Sequence, residues 1–123
     1  MIKENENIES WEFNLFNAIK DVSDIKLQKK AWLGKHPVFV SSYSEVISVL
    51  YDDFDFERYI EYCNSSEKDD VFCQLLTDLD EMISKYEPLS TDEMTLTDPF
   101  WLKITEKAKE ICSSDIVKRT LNK

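Results

Sequence analysis

The sequence predicts an all-α fold: a single compact helical domain, residues 1–123, of about five or six helices. Three observations carry this. One Gly and three Pro in 123 residues give little turn chemistry for a many-stranded sheet. Apolar residues recur at helical spacing through most of the chain. Seven Phe, five Tyr and three Trp, within 42% hydrophobic content, are too many large rings for a disordered chain. The length is that of one domain.

Residues 1–7 are polar and expected to be loose. "ESWEFNLFNAIKDVSD" then places Ile8, Trp11, Leu15, Phe16, Ile19 and Val22 on one stripe. Ser23 or Asp24 caps a second segment, "IKLQKKAWLG", and Gly34 stands where a helix C′ residue belongs. "KHPVFVSSY" reads as an extended connector, since Pro37 ends any helix and "VFV" has no convincing strand to pair with. Ser42 or Ser41 stands as the N-cap of "SSYSEVISVLYDD", with Glu45 three residues after Ser42 completing a capping box. In "FDFERYIEYCN", Phe56, Tyr59, Ile60 and Cys63 sit at helical spacing. "DDVFCQLLTDLDEMISKYEP" is the clearest helix, with acids at its start and Pro88 just past its end. "LSTDEMTLT" reads as a loop. Asp98 and Pro99 then form a strong start signal for "DPFWLKITEKAKEICSS". "DIVKRTLNK" adds a last short helix.

The net charge is −10, and it is unevenly placed. Residues 44–93 hold 15 acids against Arg58, Lys68 and Lys85, a net −12, which leaves +2 for the rest. Such a field repels nucleic-acid phosphates and anionic lipid. A basic protein is the natural partner; nucleic acid and membrane are not expected ones. The polar start "MIKENENIESW" lacks the apolar core of an export signal, and no stretch approaches the roughly 18–20 apolar residues of a membrane span. A soluble, cytoplasmic protein is expected. The odd cysteine count, Cys63, Cys73 and Cys112 with no CxxC spacing, suggests reduced, buried thiols.

No catalytic equipment is legible, and no cofactor is expected. His36 is the only histidine, and it lies in the connector. A nucleophilic Cys or Ser needs a positioned base. One Gly cannot build a phosphate cradle. "DDFDFE" has the acid alternation of a calcium loop, but counting from Asp52 the sixth residue is Glu57 and the twelfth Cys63, where that loop needs Gly and a bidentate Glu. Glu-x-x-His pairs for a two-metal helical site are absent.

That leaves "LYDDFDFERYIEY", Leu50 to Tyr62, as a junction between helices. Its acids end one helix and start the next, and some of its rings belong to the core. Acids facing solvent there join Glu67, Asp69 and Asp70 in one patch. The candidate partner-binding residues are Tyr51, Asp52, Asp53, Asp55, Glu57, Tyr59, Glu61, Tyr62, Glu67, Asp69 and Asp70. Carboxylates steer a basic partner, and Tyr51, Tyr59 and Tyr62 supply aromatic anchors.

Two stretches carry a family resemblance. "LTDPFWLKITEKAKEI", Leu96 to Ile111, resembles a terminal helix of the small bacterial immunity proteins that neutralise contact-dependent growth inhibition toxins and other polymorphic toxins. "SSYSEVISVLYDDFDFERYIE", a serine-capped helix running into acidic-aromatic residues, is similar to the same proteins. The resemblance implies a non-catalytic inhibitor, not an enzyme, whose partner is the C-terminal toxin domain of a large effector, often a basic nuclease. Two other readings use the same residues: a carboxylate-based metal-binding domain or enzyme, and a helical adaptor for another cellular partner.

Overall fold

The computed structural model describes residues 4–35, 41–66 and 70–122, the side chains of 4–7 excepted. Among the described residues it is all-α, without a strand. The "VFV" segment, with His36, lies outside them. Eight α-helices are present among the described residues rather than five or six: α1 Glu4–Ser23, α2 Ile25–Ala31, α3 Tyr43–Ser48, α4 Phe56–Ser65, α5 Asp70–Lys85, α6 Asp92–Thr95, α7 Pro99–Cys112 and α8 Asp115–Leu121. A π segment, Val49–Asp53, continues α3. The helix α1 begins within the stretch expected to be loose. The sequence-expected loop holds α6, a single turn whose cap is Thr91, accepting from the Met94 N–H at 3.1 Å.

Local signals explain most boundaries. Asp24 accepts from the Leu27 N–H at 3.0 Å and starts α2 one residue after α1 ends. Gly34, at φ +71°, takes the left-handed conformation that lets the Lys35 N–H reach the Lys30 carbonyl at 2.7 Å. Nothing lies within 4 Å of where its Cβ would stand, so the dihedral alone favours glycine. Ser42 caps α3 through the Glu45 N–H, and Asp98 caps α7 through the Phe100 N–H, each at 3.0 Å. Ser114 caps α8.

The core is one cluster drawn from all the long helices. Leu15, Phe16, Ile19 and Val22 of α1 meet Leu76 and Leu79 of α5 and Trp101, Ala108 and Ile111 of α7 in it, all fully buried. Two aromatic groups stand out. Trp101 has Trp32, Tyr43 and Tyr86 around it, with ring centroids 5.3–5.8 Å away. Tyr59 has Trp11, Phe16 and Tyr62 around it at 5.2–5.8 Å. Both groups use the edge-to-face and tilted arrangements that ring quadrupoles favour.

One buried amide ties the first group to the α1–α2 corner. Gln28 donates from Nε2 to the carbonyls of Asp21 and Val22, both at 2.8 Å, and so satisfies the end of α1. Its Oε1 accepts from the Trp101 indole N–H at 3.0 Å. Gln28 is 2% exposed and Trp101 0%.

The cysteine expectation is corrected. Cys63 and Cys73, read as reduced thiols, are joined in a disulfide that links α4 to α5, with Cα atoms 5.8 Å apart. The two positions face each other because α4 and α5 pack together. Disulfides are uncommon in a reducing cytosol, so cysteine usage no longer argues for that compartment. Cys112 is the free thiol, and burial pushes its pKa up.

The Gln28 node yields a stability prediction. Gln28→Met keeps the volume and removes both ends of the bridge, so it should cost about 2–4 kcal/mol in urea unfolding. Trp101→Phe should cost measurably less in the Gln28→Met background than in the native chain. Additive costs would show that the indole–amide bond contributes nothing of its own.

Candidate functional site

The residues from Val49 to Ser65 do not form one helix. An α-helix would bond the Phe54 N–H to residue 50; here it bonds to the Val49 carbonyl at 3.0 Å, five residues back. Phe54 leaves helical geometry (φ −114°, ψ 7°), and Asp55 is left-handed (φ 55°, ψ 53°). Asp55 is the one non-glycine residue with positive φ among those described. Aspartate is among the few residue types that tolerate this region. The turn redirects the chain, and α4 starts at Phe56, a fully buried ring.

This change of direction opens a groove between the start of α1 and α4. Ile8, Trp11, Phe54 and Tyr62 line it together with Asp53, Asp55, Arg58, Glu61 and Ser65, around a volume of about 710 Å³. The Phe54 carbonyl, beside the irregular turn, accepts from the Trp11 indole N–H at 2.6 Å. That bond fixes the Trp11 ring across 43 residues of sequence. Asp53, Asp55 and Glu61 are exposed. Arg58 is the basic residue of the rim, with Nη1 3.9 Å from Asp55 Oδ2 and both side chains more than half exposed.

The sequence-predicted residues divide. The groove brings together Asp53, Asp55, Glu61 and Tyr62. Asp52 is exposed and accepts from the Ser48 hydroxyl at 3.1 Å, outside the groove lining. Glu57 and Asp70 are exposed on α4 and at the start of α5, also outside it. Glu67 and Asp69 lie outside the described residues. Two tyrosines read as anchors are packing residues. Tyr59 is 1% exposed and donates to Glu12 Oε2 at 2.6 Å, so its ring cannot meet a partner in this fold. Tyr51 is half-buried against Phe56 and donates to Asp80 Oδ1 at 2.7 Å. Both phenols carry pKa values pushed well above the ordinary tyrosine range, first by burial and then by the carboxylate each donates to. Tyr86 is raised in the same way, by burial and by its bond to Asp98.

Sequence reasoning missed Trp11, Phe54 and Arg58 as groove residues. Trp11 reads as core because it shares the spacing of Leu15 and Ile19; its N-terminal place on the stripe is the one signal that it faces a rim. Among the described residues, no group of three or more His, Cys, Asp or Glu side chains is placed to hold a metal ion, and no helix is long and apolar enough to cross a membrane. A more enclosed pocket of about 230 Å³ lies between α1, α2 and α3, lined by apolar residues such as Ala18, Ala31, Trp32 and Val46 and by polar ones including Asp21, Gln28 and Glu45. It includes none of the predicted residues. Compared with protein-family models, curated proteins and solved structures, the chain matches none.

The groove between α1 and α4 has a lining both aromatic and anionic. It is open, its floor is aromatic and its rim is mostly anionic. Such a surface combines desolvated ring area with charge for steering.

Two measurements check this geometry. Asp55→Ala should cost about 1–2 kcal/mol because alanine resists the left-handed region, whereas Asp55→Asn and Asp55→Gly should stay within about 0.5 kcal/mol. Equal costs for all three would mean that residue 55 is not held at positive φ. Separately, the phenols of Tyr51, Tyr59 and Tyr86 hold their protons more tightly folded than unfolded. Their contribution is complete below the unfolded tyrosine pKa, near pH 10, and is lost as pH rises above it. Unfolding free energy should therefore fall above about pH 10, and Tyr59→Phe should flatten that fall. An unchanged slope in Tyr59→Phe would rule out the Tyr59 contribution.

Proposed function

We propose that this chain is a non-catalytic inhibitor that binds a basic protein and neutralises it, the partner being the C-terminal toxin domain of a bacterial effector. One observation carries the reading. The aromatic groove at the α1–α4 junction is rimmed by Asp53, Asp55 and Glu61, within a segment of net charge −12. A field of that sign accelerates encounter with a cationic protein, and a partly apolar floor slows its departure. The resemblance of residues 41–61 and 96–111 to small immunity proteins supports the toxin as the partner. The complex would form in the compartment where the toxin acts, by one-to-one occlusion of a toxin surface.

The reading expects a large secreted toxin gene directly upstream of this one, and the test uses the C-terminal domain it encodes. Association should slow by about tenfold or more from low to high salt. Reversing three exposed acids together, Asp53→Lys, Glu57→Lys and Glu61→Lys, should weaken the complex by about a hundredfold. No complex with that domain, or one indifferent to the reversal, would sink the proposal.

A further inference from the structure

We infer that the groove between α1 and α4 is a docking site for a single arginine side chain of the basic partner, and that Arg58 is its internal competitor. The inference rests on the reading that the partner is basic, and deepens it.

Arginine matches both parts of the groove. Its methylene stem and planar guanidinium suit an apolar, ring-lined floor, here Trp11, Phe54 and Tyr62. Its five donors suit several carboxylates at one rim, here Asp53, Asp55 and Glu61. Lysine offers a compact, strongly hydrated charge without the stacking plane, so it is the poorer guest. An acidic or phosphate-bearing guest meets three carboxylates and is rejected. The chain already carries a small version of the contact. Arg58 lines the groove and places its guanidinium 3.9 Å from Asp55, with its side chain 76% exposed. Such an exposed pair is worth little, so it holds the guanidinium near the rim without locking it there. A partner arginine entering over the aromatic floor takes Asp55 from Arg58, which turns out into solvent.

The competitor role sets an unusual expectation: removing a native ion pair should improve binding. The probe is a blocked tripeptide, acetyl-Gly-Arg-Gly-amide, titrated into the full chain and followed by the Trp11 indole N–H resonance. The indoles of Trp32 and Trp101, buried elsewhere, serve as internal references. Expected is a saturable shift of Trp11 and of the backbone from Asp53 to Ser65, weaker with the lysine tripeptide. Arg58→Gln should tighten it about threefold, the size of an exposed ion pair. Asp55→Asn, which keeps a residue suited to positive φ, and Glu61→Gln should each weaken it by a similar factor. Arg119→Gln removes the sequence's other arginine, on α8, and controls for net charge. Equal effects of Arg58→Gln and Arg119→Gln would overturn the competitor role. No shift at Trp11, or equal shifts at Asp78, Glu81 and Glu93, would overturn the docking site.

The two proposals fail separately. A groove that takes the tripeptide while no toxin complex forms leaves the docking site standing and removes the toxin. A toxin complex with a groove indifferent to the tripeptide does the reverse.

Discussion

A buried indole must find an acceptor for its N–H, and in this fold Trp101 finds it on Gln28. The same amide holds the last carbonyls of α1. One side chain thus ties the end of α1, the helix α2 that carries it and the Trp101 ring of α7 together. Trp32, Tyr43 and Tyr86 then close around Trp101. The groove depends on this node although Gln28 is not part of it. Helix α1 brings Trp11 to the floor, and α1 is positioned by its contact with α7. Among the described residues no buried side-chain polar atom lacks a partner, as a core organised around polar bridges requires.

The carboxylates serve two separate purposes. Glu12, Asp80 and Asp98 each take a phenol hydroxyl, from Tyr59, Tyr51 and Tyr86. These bonds let three large polar rings contribute to packing without stranding their hydroxyls. Asp53, Asp55 and Glu61 face solvent, Asp55 with the Arg58 guanidinium beside it. The charge excess of the middle segment therefore overstates what a partner meets, since Asp80 is already engaged. What makes the remainder directional is the groove, which gathers three acids beside rings.

How much of this was legible in the sequence follows from how local each signal is. Ser42, Gly34 and the Asp98–Pro99 pair announce their helix ends within a few residues, and all three act where expected. The short α6 was missed because a single turn has too few residues to show a period, and Thr91 resembles any loop threonine. Tyr59 shares the apolar stripe of Phe56, Ile60 and Cys63 on α4 while Tyr62 lies beside it, yet both read as anchors. One is sealed and the other half-buried because α1 supplies Trp11 and Phe16, a non-local event. The Cys63–Cys73 pairing depends likewise on how α4 and α5 pack together. Of the candidate patch, Asp53, Asp55, Glu61 and Tyr62 line one groove. Which of its members share a groove was decided by the π segment and by Asp55, neither of which hydrophobic periodicity reveals.

The π segment also governs how this region can change over evolutionary time. Substitutions within Val49–Asp53 alter side chains and leave the turn count alone. Loss of one residue there would let the i+5 bond relax to the ordinary i+4 spacing. Everything downstream in the same helix would then rotate by about 100° relative to α3. Asp53 would be turned away from its place in the groove, and the turn at Phe54 and Asp55 that leads into α4 would be redirected. The number of residues across these five positions, more than their identity, therefore sets how the helix leads into the turn at Phe54 and Asp55.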